Sequence, residues 1–120
     1  MNDNVDILTE LKEQLETLGI PVYYGAGDSK ALQNNEFIIF GRTKIDVNQS
    51  NTAHTKRFEV LIVAENWVTE QRIQDVIKCA KAAGLRISKS SEINIDYQTK
   101  NDLSYELVSI PFFKAEKEMY

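Results

Sequence analysis

Arg57-Phe58-Glu59-Val60-Leu61-Ile62-Val63-Ala64-Glu65 is the strongest strand pattern in the chain. It is rich in β-branched and aromatic residues, and its polarity alternates at both ends. Phe58, Val60, Ile62 and Ala64 fall on one face; Leu61 and Val63 fall on the other, flanked by Glu59 and Glu65. A strand apolar on both faces in its middle sits at the centre of a sheet or has its second face covered by a partner. Asn66-Trp67-Val68-Thr69 then leads into Ile73, Val76, Ile77, Ala80 and Ala83, whose spacings of three and four make one amphipathic helical stripe. Thr69 is the candidate N-cap, Glu70 complements the positive end of the dipole, and Gly84 suits a left-handed stop. A long strand therefore feeds directly into a helix that lies back on the sheet.

The 120 residues predict one domain, and a chain of this size buries roughly two-thirds of its unfolded surface. An apolar fraction of 42% and a charged fraction of 27% are those of a globular domain rather than a disordered one. A net charge of −4 and a pI near 5.0 argue against nonspecific nucleic-acid binding, which is driven by phosphate neutralisation. One cysteine, Cys79, makes no internal disulfide and fits a reducing compartment. Met1-Asn2-Asp3-Asn4 lacks the basic and apolar regions of a signal peptide, and no apolar run approaches the ~20 residues of a membrane span. A protein made and used in water, without membrane contact, is the expectation.

The remaining elements follow in order. A first helix is predicted from Asp3 or Asn4 to Leu18, with Val5, Leu8, Leu11, Leu15 and Leu18 as its stripe and Gly19 and Pro21 ending it. Val22-Tyr23-Tyr24 reads as a short strand, and Phe37 to Ile45 as a second, with Gly41 marking a bulge or a close backbone approach. Residues 46–55 are almost all small and polar. Hairpin loops usually have two to five residues, so either the flanking strands extend into this segment or it is a mobile loop. Ile93, Ile95 and Tyr97 alternate with polar residues as a half-buried strand, and Ser104 to Lys114 forms the last strand, with Pro111 placed at an edge or bulge. The order α-β-β-β-α-β-β predicts an α+β fold: a mostly antiparallel sheet with both helices packed on one face. The other face then lacks a cover of its own, and its apolar side chains suit burial against another subunit.

No catalytic or metal-binding constellation emerges. Gly25-Ala26-Gly27 lacks the third glycine of a dinucleotide loop and the lysine of a phosphate loop, and reads as a turn. His54 is the only histidine; without a metal-ligand partner at the right spacing it reads as a polar loop residue. Cys79 borders the second helix's stripe and reads as a packed small hydrophobe rather than a nucleophile. Trp67 reads as a core plug. No cofactor is implied. Arg42, Lys44, Lys56 and Arg57 are expected near one another at the open end of the central hairpin, either as a solvated strand end or as contacts to an acidic protein surface.

With these elements placed, the chain resembles the tail terminators, or tail completion proteins, of tailed phages. The likeness lies in an amphipathic helix running into Leu18-Gly19-Ile20-Pro21, a short strand, and a long hairpin from Phe37 to Val63 with a polar tip. It continues in the histidine-bearing run His54-Thr55-Lys56-Arg57, a helix directly after that strand, and a terminal strand with Ile110-Pro111-Phe112-Phe113. It spans nearly the whole chain as element order and pattern. The resemblance implies a non-enzymatic virion protein, made in the host cytoplasm and assembled as a homohexameric ring at the head-proximal end of the tail. There it stops tube polymerisation and offers a surface to the head connector or head-completion protein. The implied contacts, to other subunits or to the tail tube protein, are Arg42, Lys44, Asp46, Asn48, Gln49, Asn51, His54, Lys56, Arg57, Leu61 and Val63. The contrasting reading is a small cytosolic ligand-binding or regulatory domain that dimerises through its sheet.

Overall fold

In a computed structural model, which describes residues 6–26, 35–47, 53–87 and 91–117, two helices and five strands form an α+β domain. The elements are α1 (Ile7–Glu16), β1 (Val22–Tyr24), β2 (Glu36–Val47), β3 (Ala53–Glu65), α2 (Glu70–Ala82), β4 (Asn94–Lys100) and β5 (Leu103–Lys117). The sheet order is β1-β2-β3-β5-β4. β1 runs parallel to β2 and every other neighbouring pair is antiparallel.

The local signals act as the sequence predicts at both helices. Thr69 Oγ1 accepts a hydrogen bond from the Arg72 N–H at 3.1 Å, and Gly84 ends the helix at φ 96°. The first helix starts later than the stripe suggests. Asp6 caps it, its carboxylate accepting from the Leu8 N–H, and Gly19 turns the chain at φ 82°; Val5 lies outside the described residues.

Both helices sit on one face of the sheet, here called the helix face. Leu11 and Leu15 of α1 and Val76, Cys79 and Ala80 of α2 pack with Ile38, Phe40, Phe58, Val60, Ile62, Val108, Ile110 and Phe112. Each fully buried side chain of this size contributes about 1.5–3 kcal/mol. The predicted face of the central strand, from Phe58 through Ala64, is buried throughout.

Of the two readings of residues 46–55, the flanking strands extend: β2 runs to Val47 and β3 starts at Ala53, with Asp46 opposite Thr55 and Val47 opposite His54. The bulge expected at Gly41 follows directly after it, where the register jumps between Arg42 and Lys44. Two features differ from the sequence reading. Trp67 is 67% exposed. Asn66 takes a left-handed turn at φ 73°, and Val68 enters the core instead, its N–H donating to Glu106 Oε1 at 2.7 Å. β4 is not half-buried: all seven of its residues are exposed. Two helices side by side, each about 10 Å across, cover about four strands spaced at about 4.8 Å, and β4 is the fifth.

Pro111 lies in an interior strand, yet its missing N–H costs no ladder bond. β4 ends opposite Ser109, and Pro111 shares its backbone direction with Phe113, which bonds to Arg86 beyond that end.

Cys79 joins the helices: its Sγ donates to the Gln14 carbonyl at 3.2 Å. Burial pushes this thiol's pKa above the ordinary value, a hydrogen bond with Thr17 opposing it. A raised folded-state pKa means the thiol's contribution is complete below the ordinary thiol range and is lost as pH rises through the folded value. We expect the loss of melting temperature above about pH 9 to be smaller in Cys79→Ala than in the wild type. Identical slopes for the two proteins in calorimetry across pH 7–10 would remove Cys79 from the account.

Candidate functional site

The sheet face opposite the helices carries a second apolar cluster. β3 sends Leu61 and Val63 there, β2 sends Phe37 and Ile39, β5 sends Tyr105 and Leu107, and β1 sends Tyr23. Phe37, Val63 and Tyr105 are buried at its centre, and Tyr23 meets Phe37 edge-on with ring centroids 6.1 Å apart. Tyr23, Ile39, Leu61 and Leu107 surround them, half-buried. Among the described residues no helix covers this face.

Beside Ile39 and Leu61 the face dips into an open cleft of about 350 Å³, with Gly41, Glu59, Gly25 and Ala26 among its walls. Gly41 contributes no side chain there, and a Cβ on it would stand 3.7 Å from the Gly25 Cα. Below the cleft Glu59 accepts a hydrogen bond from the Ser109 hydroxyl across the β3–β5 pair.

Beyond the bulge, β2, β3 and β5 run on together as a three-stranded arm, and the molecule reaches 51 Å along its longest axis. The one-residue register change decides what each arm face carries. Lys44 stands opposite Arg57, with Asp46 one step further on the same face, the one bearing Leu61. Arg57 Nε donates to Asp46 Oδ2, and Lys44 Nζ lies 3.3 Å from Asp46 Oδ1. The hydrogen bond from Arg57 is the main cause that lowers the Asp46 pKa; desolvation opposes it, and the hydrogen bond and charge of Lys44 add to the lowering. The helix-side face of the arm carries Arg42, Lys56 and His54 together with exposed Ile45 and Val47.

The predicted site residues are therefore divided. Arg42, Lys44, Lys56 and Arg57 do not form one basic patch, because two point to each face and Asp46 bonds to both members of one pair, offsetting one of their two charges. His54 is not a loop residue: it lies in β3 and is only 3% exposed. Val63, at 4% exposure, is covered within the single chain, whereas Leu61 remains partly accessible. Asn48, Gln49 and Asn51 lie outside the described residues. Sequence reasoning missed Tyr23, Ile39 and Leu107; their alternation in short or mixed strands signalled a face, but only the sheet order places them beside Leu61.

Among the described residues no group of three or more His, Cys, Asp or Glu side chains is placed to hold a metal ion. No helix among them is long and apolar enough to cross a membrane. No known protein-family model matches the chain. No curated protein matches its sequence.

The Asp46 geometry has a direct spectroscopic consequence. A depressed folded-state pKa stabilises the arm above the ordinary carboxylate range and is lost as pH falls through the folded value. The Asp46 carboxyl should titrate below a free aspartate by NMR, and Arg57→Gln should raise its midpoint. An unchanged midpoint would show that the pair does not persist in solution.

Proposed function

We propose that the protein is a structural component of a phage tail, assembling as a ring of identical subunits on the head-proximal end of the tail tube. The observation that carries this reading is the open apolar face around Leu61, continued by a charged arm that projects past the helices. A ring needs a heterologous contact, in which two different patches of the subunit meet and the rotation closes. Face and arm are two such patches, with different chemistry. The half-buried side chains supply apolar area, and the Lys44–Asp46–Arg57 group supplies directional polar contacts whose value grows once water is excluded.

The likeness in element order to tail terminators supports the same reading, as does the net charge of −4, which suits a channel that must let DNA pass without adhering. The partners in this reading are further copies of the chain, the tail tube protein, and a head connector or head-completion protein. Its location is the virion.

Leu61 is the residue to test, because Val63→Asp would place a carboxylate in the monomer's own core and damage folding. Leu61→Asp introduces charge at a partly accessible position. The variant should keep a melting temperature within a few degrees of wild type, yet fail to cap tail tubes in electron micrographs, leaving overlong tubes. Capping by Leu61→Asp at wild-type efficiency would remove this face from the assembly, and wild-type protein that never binds tube ends would overturn the proposal.

A further inference from the structure

β4 is exposed on both faces, and it forms one edge of the sheet. Its hairpin with β5 turns through Asn101 and Asp102, both left-handed at φ 53° and 66°, the geometry of a type I′ turn. In such a hairpin the closing pair, Lys100 and Leu103, exchanges both backbone hydrogen bonds. Counting back from it, Asp96 and Gln98 also direct their backbone groups to β5. Ile95, Tyr97 and Thr99 direct theirs outward. The Tyr97 N–H agrees: it donates to the neighbouring Asp96 Oδ1 at 2.9 Å instead of to the ladder. The Tyr97 ring is held on the helix face by Glu106, its cross-strand neighbour, whose hydrogen bond raises the phenol pKa.

Edge strands usually discourage pairing with prolines, bulges or inward-pointing charges. β4 has no proline, keeps an unbroken register with β5, and carries an apolar row continuing from Ile93 through Ile95 to Tyr97. Its charges are arranged to match themselves. In an antiparallel pairing of two copies centred on Gln98, Asp96 of each meets Lys100 of the other on one face. On the opposite face Tyr97 meets Thr99, an aromatic–β-branched pair of the kind that favours sheets. The outward N–H and C=O groups of Tyr97 and Thr99 then bond to each other, and Asp96 exchanges the Tyr97 amide for a lysine.

We propose that a second copy of this chain docks on β4, forming a two-fold antiparallel pair centred on Gln98. This contact does not rest on the tail-protein reading. It is isologous, so it joins two subunits and closes, leaving the Leu61 face and the arm uncovered. A ladder this short lies below the about 1,200 Å² of stable interfaces, so the dimer should be weak and concentration-dependent.

Cross-linking tests the register. Gln98 opposes its own copy at a non-hydrogen-bonded position, where Cα atoms are about 4.5 Å apart, within the about 4.4–6.8 Å that a disulfide spans. Gln98→Cys, with buried Cys79 left in place, should give a disulfide-linked dimer under mild oxidation, and Asn94→Cys should not. In sedimentation, Lys100→Glu should weaken the dimer about tenfold by setting carboxylates opposite each other, and adding Asp96→Lys should restore it. Equal cross-linking at both positions, no response to the charge reversals, or a monomer at every concentration would each overturn the proposal. Ring formation that persists through any of these results would leave the ring reading standing by itself.

Discussion

The uninterrupted pairing of β3 with β5, from Ala53 opposite Lys117 to Glu65 opposite Tyr105, is the constraint on which the structure depends. With β2 on its other side from His54 to Ala64, β3 is paired along both edges over most of its length, and its side chains have only two directions available. Phe58, Val60 and Ile62 take one and fix where the helices pack. Leu61 and Val63 necessarily take the other. A β3 that anchors both helices with one set of alternate residues therefore presents the other set on a second face, apolar at Leu61 and Val63, and the strand's continuation beyond the bulge forms the arm.

The bulge in β2 decides what that arm displays. Without the register change, Lys44 would lie opposite Lys56, and Ile45 and Val47 would join the face carrying Leu61. One inserted residue exchanges the two sets, because side chains alternate with a period of two. Asp46 then shares a face with Arg57 and Lys44, and the exposed apolar pair Ile45 and Val47 moves to the helix side. The second face is consequently apolar over the body of the sheet and ionic along the arm, although both belong to the same strands.

Much of this was legible in the sequence because it is locally encoded. The alternation from Phe58 to Glu65, the Thr69 cap, and the stops at Gly19 and Gly84 each report a constraint acting within a few residues. Exposure is a property of neighbours, and there the sequence reading failed. The alternation of Ile93, Ile95 and Tyr97 says that one face of β4 is apolar, but not that two helices are too narrow to reach it. Trp67 and Val68 are both apolar at the same junction, and only the left-handed turn at Asn66 and the carboxylate of Glu106 determine which one enters the core. The candidate site is legible in the same uneven way. Alternation places Leu61 and Val63 on the correct face, but Phe37 and Tyr105, far away in sequence, close over Val63 and leave Leu61 as the accessible member.

These two kinds of surface impose different demands on any assembly. Contact through Tyr23, Ile39, Leu61 and Leu107 is driven by removal of apolar area from water, which sets strength without fixing orientation. The Asp46 pairs are exposed and contribute little while solvated, but a mismatched partner there would leave charges desolvated without compensation, at a cost of several kcal/mol. Affinity then resides in the body of the sheet and discrimination in the arm. An extended arm suits the second task better than a compact edge, because a small angular error at the body becomes a large displacement at the tip. Polar groups held along the arm would therefore select among docking angles that the apolar face accepts almost equally.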